Sequence, residues 1–359
     1  MFHVAYNKEK CTMTSQVAFL FPGQGSQAVG MGKDIFDAST AAHNVFETVD
    51  KALGISLSTL CFQGPDEALR ETINAQPAIV TVSLALLAAF QEALSPQNSS
   101  WSFPLTPSYT AGHSIGEYAA FVAAGALDLK SAALLVRERG RLMHHEGTVC
   151  PGGMAAVIGM EAEALQKVCQ EATGQALAEL SQEQASASNH PGQGRVIVAN
   201  FNAPGQIVIS GEQKALERAM ELARERGAKR VIPLPVSGAF HSPVMQPAVG
   251  GLSQVIATTP VHDASLLVIS NIAAAPLTEE QAIRSELAQQ IAAPVEWTRT
   301  IEYLAGVGIT VFIEIGPGQA LTGMVKRIAK GMTTINISNA ADINKAVTSI
   351  REMGLIHEI

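Results

Sequence analysis

Gly112-His113-Ser114-Ile115-Gly116 sets a serine between two glycines. The segment Pro107 to Ala111, which reads as a short strand, precedes it and the alanine-rich run Glu117 to Phe121 follows. A Gly-x-Ser-x-Gly pentapeptide between a strand and a helix predicts a nucleophile elbow, a sharp turn that lifts the hydroxyl clear of the backbone at the positive end of the helix. Such a serine can attack an acyl group. The amide of the next residue, Ile115, is then in place to stabilise the resulting oxyanion.

A serine nucleophile needs a base. Of nine histidines, His241 is the best candidate, because Pro235 to Pro243 is a small-residue loop after a predicted strand, where side chains can turn into a cleft. His144 and His145 read as surface residues of a helix, and adjacent histidines lack metal-ligand spacing. His113 is expected to point away from the serine. The second oxyanion donor should come from a loop after an early strand, which is where Gln24 stands in Pro22-Gly23-Gln24-Gly25-Ser26-Gln27. That loop lacks the lysine of a phosphate-binding loop and the Gly-x-Gly-x-x-Gly spacing of a dinucleotide site. Arg137, Arg139 and Arg141 lie on a helix about 25 residues after the serine, and any of them could fork onto a substrate carboxylate. Spacing alone does not choose among them.

These residues need a scaffold. The chain has 359 residues, 47% hydrophobic and 16% charged, enough for a large core and two domains. Its net charge of −8 disfavours nucleic acid as a partner. Cys11, Cys61, Cys150 and Cys169 are scattered and read as reduced thiols of a cytoplasmic protein. The apolar stretch from Pro77 to Phe90 is about 14 residues, too short to span a bilayer and suited to a buried helix. Strands are expected at Val17–Phe21, before the elbow, at Leu266–Asn271 and at Thr310–Ile315. Helices are expected over Gly32–Leu53, Gln76–Leu94, Leu129–Glu146 and Ala320–Lys330. Between Pro151 and Val236 the order strand-helix-strand-strand-helix-strand predicts a small ferredoxin-like domain inserted into a larger α/β one. Ser95–Pro107 and Gln175–Gly194 read as loops, and residues 1–15 as a polar leader with Met13 as an alternative start.

Six segments together resemble the malonyl-CoA:acyl-carrier-protein transacylases. They are Phe21 to Gln27, Gly112 to Tyr118, Ala239 to Ser242, Asn200-x-Asn202-x-Pro204-x-Gln206, Gln290 to Trp297, and Glu314-x-Gly316-Pro317-Gly318. The resemblance runs from about Gln16 to about Arg327 and implies an α/β fold: an α/β-hydrolase-like large domain (16–150 and 236–359) with the ferredoxin-like insert at 151–235. It implies transfer of malonyl from malonyl-CoA to the phosphopantetheine thiol of an acyl carrier protein, for fatty-acid or polyketide synthesis, by a monomer needing no metal, no cofactor, no membrane and no nucleic acid. Coenzyme A enters only as the substrate thioester. By position, Ser114 matches the acyl-accepting serine, His241 the base and Arg139 the arginine that pairs with the malonyl carboxylate. Gln24 and Ile115 match the oxyanion donors. Gln290 matches the glutamine whose main-chain carbonyl orients the histidine in place of a triad acid. Phe240 matches the residue that disfavours a substituent at the malonyl α-carbon, where methylmalonyl-using relatives carry serine. Lys326 and Arg327 are candidates for a basic rim toward the carrier protein. A serine hydrolase would use the same serine and histidine, and Arg139 argues against it. A silent scaffold is at odds with the presence of all three residues.

Overall fold

The computed structural model describes residues 16–94, 105–182 and 190–356. The leader at 1–15, Cys11 and most of the 95–107 loop lie outside them. Among the described residues ten strands form two sheets: β1 Val17–Phe21, β2 Tyr109–Gly112, β3 Gly152–Ile158, β4 Val196–Ala203, β5 Gln206–Glu212, β6 Arg230–Pro233, β7 Leu267–Ile269, β8 Pro276–Leu277, β9 Val311–Ile315 and β10 Thr333–Ile337.

The larger sheet runs in the order β10-β9-β1-β2-β7-β8. It is parallel as far as β7, and β8 closes one edge antiparallel. Strands β1 and β9 are buried at every residue. A parallel strand covered on both faces must be apolar throughout, hence Val-Ala-Phe-Leu-Phe without alternation. The expected α/β class with a parallel sheet is what the chain forms.

The helix Thr72–Leu94 lies against this sheet. It begins before the expected Gln76. Its 23 residues are long and apolar enough to cross a membrane, where the stretch Pro77–Phe90 alone reads as too short, yet 83% of its most apolar stretch is buried inside the protein. The fold itself covers its apolar surface. The expected helix over Gly32–Leu53 is two, Lys33–Ala38 and Thr40–Leu53. Extended Ser39 separates them, and its side chain caps the second by accepting from the Ala42 amide.

The second sheet is antiparallel, in the order β4-β5-β3-β6, with helices Ala162–Gln182 and Gln213–Glu225 over it. Here the sequence reading needs correction. Gln175 to Gln182, expected as a loop, continues the helix, because Ala, Leu and Glu are strong helix formers and Ala176 is buried. Only part of the expected loop, 190–194, lies among the described residues beyond that helix. Main-chain bonds tie β4 of this sheet to the segment before the helix Trp297–Gly306: Phe201 N–H donates to Val295 O at 2.9 Å and Val295 N–H to Ala199 O at 2.8 Å.

The elbow depends on close packing between β1 and the helix Gly116–Ala123. A Cβ on Gly116 would lie 2.2 Å from the Phe21 carbonyl oxygen, inside any real contact distance. Gly116→Ala is therefore expected to cost about 3 kcal/mol or more of stability. A urea unfolding curve checks this, and a change within error would show that β1 and the helix can separate without loss.

Candidate active site

Ser114 has φ of 51°, in the left-handed region that a side chain disfavours. Two groups hold it there. Its backbone N–H donates to Asn271 Oδ1 at 2.7 Å, and Asn271 Nδ2 donates to Gly112 O at 2.7 Å, so one side chain ties both sides of the turn. Asn271 follows β7, the neighbour of β2 in the sheet.

The Ser114 Oγ lies 2.6 Å from His241 Nε2. His241, at φ of 57°, is itself left-handed and buried. Its Nδ1 is 2.9 Å from Gln290 O and 3.0 Å from Ala293 O. Carbonyl oxygens only accept, so Nδ1 carries the proton and Nε2 presents its lone pair to the serine hydroxyl. No carboxylate is needed to fix this tautomer. Burial, then the positive charge of Arg139, then His113, push the imidazole down from 6.5 to about 3. The ring stays neutral, and so basic, across the physiological range.

Of the three arginines only Arg139 stands beside the serine. Arg137 donates to Ile73 O and Asn74 Oδ1, and Arg141 pairs with Glu138 at the surface. Arg139 is completely buried. One of its terminal nitrogens donates to Gln76 Oε1 at 2.7 Å and to the Met143 sulfur at 3.1 Å. The other donates to Gln290 Oε1 at 2.7 Å and reaches Ser114 Oγ at 3.4 Å. Among the described residues no carboxylate is in ion-pair contact with it, and its Nε has no partner. Helical register could have found it: Leu135 and Met143, four residues to either side, are buried with it, whereas Arg137 and Arg141 fall on the opposite face.

Gln24, Ser114, Phe240 and His241 line one cleft of about 130 Å³ with Gln76 and Asn202 among its other walls. The Gly23 Cα packs so closely on the elbow that a Cβ there would lie 2.6 Å from the His113 carbonyl oxygen, which brings Gln24 alongside Ser114. Ile115 N follows the serine at the start of the helix, and its side chain is buried. Gln290 sits in the helical turn Gln290–Ala292, close to the bonds that join β4 to Val295. Its side-chain Nε2 donates to Ser114 O at 2.8 Å and Glu117 Oε2 at 2.6 Å, in addition to the carbonyl contact with His241.

His113 lines the cleft and is bound to Asn202 Oδ1 at 2.8 Å, so it faces the second sheet and not the serine, as expected. Sequence reasoning missed other groups. Asn271, Gln76 and Glu117 carried no separate signal. His144 and His145 are exposed, and among the described residues no three metal-ligating side chains converge. Cys61, Cys150 and Cys169 are buried and unpaired, their thiols pushed up to about 12, 11 and 12 mainly by burial.

A strained serine bonded to a neutral histidine, with a buried arginine beside it, defines an acyl-transferring serine site. The chain belongs to the acyl transferase domain family, which matches residues 18–351. More narrowly, it is a member of the malonyl-CoA:acyl-carrier-protein transacylase family. The Bacillus subtilis malonyl CoA-acyl carrier protein transacylase is 44% identical over 338 residues, 94% of this chain and 98% of the relative. The Escherichia coli K12 protein of that name is 38% identical over 320 residues, 89% and 94% of the two chains. The crystal structure of the Bartonella henselae acyl-carrier-protein S-malonyltransferase superposes with a TM-score of 0.83 at 37% identity, covering 94% of this chain and 99% of that one.

A neutral buried imidazole predicts a simple pH dependence. Labelling of Ser114 by a fluorophosphonate should proceed at a rate constant unchanged within about twofold from pH 8 down to pH 5. Trypsin digestion and mass spectrometry follow the adduct. A halving near pH 6.5, the ordinary value, would show that His241 is not desolvated as its surroundings require.

Proposed function

We propose that this protein transfers the malonyl group from malonyl-CoA to the phosphopantetheine thiol of an acyl carrier protein through a malonyl-serine intermediate. The observation that carries the reading is the position of Ser114 Oγ, 2.6 Å from a neutral base and 3.4 Å from a buried guanidinium without a counter-ion. The relatives named above support it. So does a malonyl-transacylase solved in complex with a type II polyketide synthase acyl-carrier protein, at TM-score 0.81 and 35% identity over 93% of this chain and 99% of that one.

The reaction runs in two halves. His241 Nε2 takes the hydroxyl proton as Ser114 Oγ attacks the thioester carbonyl. The tetrahedral oxyanion lies against the backbone amides of Gln24 and Ile115. The C–S bond breaks, His241 returns the proton to the coenzyme A thiolate, and the malonyl ester remains on Ser114. The carrier-protein thiol then gives its proton to His241 and attacks the ester carbonyl. The ester C–O bond breaks, His241 returns the proton to Ser114 Oγ, and the carrier protein leaves with the malonyl group as a thioester. Arg139 takes the malonyl carboxylate in place of its weak bond to the Met143 thioether, since a charged acceptor is far stronger than a sulfur. Phe240, buried at the cleft wall, excludes a substituent on the α-carbon. Gln290 orients the base. No metal or cofactor enters these steps.

The parallel sheet and the β3–β6 order support the finer assignment, an α/β-hydrolase-like domain of 16–150 and 236–359 with a ferredoxin-like insert at 151–235. A monomer in the cytoplasm, serving fatty-acid or polyketide extension, completes the reading. Lys326 and Arg327 are exposed at the end of the helix Ala320–Ile328, where Arg327 also holds Gln206 of the second sheet.

Losing the charge-assisted pair with malonate should cost about 2–5 kcal/mol of selectivity. Brief incubation of Arg139→Ala with malonyl-CoA or acetyl-CoA, followed by intact mass spectrometry, should show malonyl loading cut sharply while acetyl loading persists or rises. An equal fall in both removes the role given to Arg139. Ser114→Ala should carry no adduct, and a labelled Ser114→Ala chain would sink the mechanism. Charge reversal of Lys326 and Arg327 together should raise the KM for carrier protein several-fold without changing that for malonyl-CoA. An unchanged carrier KM clears that surface of the role.

A further inference from the structure

Two hydroxyl groups grip the loop that carries Gln24, and the mechanism above uses neither. Within the loop Pro22 to Gln27, the Ser26 hydroxyl donates to the Gly23 carbonyl oxygen at 2.7 Å. The Gly23–Gln24 peptide is trans, so its carbonyl and its N–H point in opposite directions. A bond on Gly23 O therefore also sets where Gln24 N–H points. The Gln24 side chain then leaves the loop, and its Nε2 donates to Thr72 Oγ1 at 3.2 Å. Glycines stand on both sides of Gln24, the second at φ of 102°, so this peptide is free to turn unless side chains hold it. Among the described residues neither the Gln24 nor the Ile115 N–H donates to a protein group, and both stay available to an oxyanion.

Thr72 is the anchor outside the loop. It is completely buried, at the start of the helix Thr72–Leu94. A Cβ on Gly140 would lie 2.9 Å from the Thr72 carbonyl oxygen and 2.8 Å from Ile73 Cα. The start of this helix is thus pressed against the helix Leu129–Val149, one residue after Arg139. Thr72 Oγ1 also lies 3.5 Å from Ser237 Oγ, in the loop that leads to His241. One turn further on, on the same face, Gln76 accepts from Arg139 at 2.7 Å. Positions 72 and 76 of one helix therefore hold the oxyanion donor and the guanidinium, at a separation that helix geometry fixes.

We infer that Ser26 and Thr72 are positioning residues for acyl transfer, aiming Gln24 N–H at the oxyanion: Ser26 acts through the Gly23 carbonyl and Thr72 through the Gln24 side chain. The inference rests on Gln24 N–H as an oxyanion donor of the proposed reaction. Removing such a donor lowers the rate about 100- to 1000-fold, so a donor that is present but loosely aimed should cost about tenfold.

The test is the rate constant of Ser114 malonylation over a range of malonyl-CoA, by rapid quench and intact mass spectrometry with no carrier protein present. Ser26→Ala and Thr72→Val should each lower the rate at saturation about fivefold or more, with half-saturating malonyl-CoA unchanged within about twofold, because the oxyanion forms only in the transition state. Thr72→Ser keeps the hydroxyl and should come within about twofold of the wild type. Gln24→Met removes the side-chain amide and keeps the backbone N–H. It should fall as Thr72→Val does, and adding Thr72→Val to it should lower the rate by no more than about a further twofold. Each variant stands alone, so the failure of one to fold leaves the others to decide. Saturated rates equal to the wild type, a Thr72→Ser rate as low as that of Thr72→Val, or losses that multiply in the double variant would overturn the inference. Should malonyl-CoA leave no adduct on the wild type, the malonyl reading fails. The same variants labelled with a fluorophosphonate, whose phosphoryl oxygen takes the place of the oxyanion, then decide for or against Ser26 and Thr72.

Discussion

Burying a guanidinium that has no carboxylate in ion-pair contact among the described residues is the constraint around which this site is built. The penalty for taking such a charge out of water is several kcal/mol even after the surroundings relax. Arg139 is held by neutral groups alone, an amide oxygen on each side and a thioether. These occupy donors on both terminal nitrogens without cancelling its charge, and leave Nε without a partner. The consequence reaches His241, whose low affinity for a proton is due first to burial and next to this same cation. The arginine thus helps keep the base neutral and leaves a place for one anion beside the nucleophile.

Two residues in left-handed backbone, Ser114 and His241, face each other across that charge. Each conformation costs roughly 1–3 kcal/mol and persists only where the surroundings over-determine it. Asn271 over-determines the serine. The Ile291 carbonyl, which accepts from the His241 N–H at 3.0 Å, and the two carbonyls at the ring over-determine the histidine. All three carbonyls come from the segment Gln290 to Ala293, and two residues later Val295 pairs with the second sheet. The contact of His113 with Asn202 adds a second link. Main-chain and side-chain hydrogen bonds thus join β4 of the second sheet to the segment that holds His241 and to the elbow.

Much of this was legible in the residues. Gly-x-Ser-x-Gly between an apolar run and a helix located the nucleophile, because a turn that sharp needs glycines where β1 and the helix almost touch. Motif resemblance supplied the roles of Gln290 and Phe240, which no local pattern reveals. The arginine stayed open at the level of spacing because three alternate along one helix, although the buried register of Leu135 and Met143 singles out Arg139. The parallel core strands were plain from their unbroken apolar runs. Gln175 to Gln182 was misread because small polar residues were weighed above helix propensity. The strand Thr333–Ile337, at the far edge of the sheet, and the helix after it were not anticipated. Glu117 and Asn271 were invisible because their meaning lies in contacts 173 and 157 residues away.

The placing of an amide between carboxylate and guanidinium has its own physical logic. Glu117 in direct contact with Arg139 would form a closed ion pair, and an incoming carboxylate would have to compete with a permanent anion for the same fork. With Gln290 interposed, Glu117 accepts from an amide whose own oxygen meets the cation, so the carboxyl is coupled to Arg139 without occupying its donors. Two of the guanidinium's contacts are then amide oxygens, which a charged carboxylate can outbid at the edge facing Ser114.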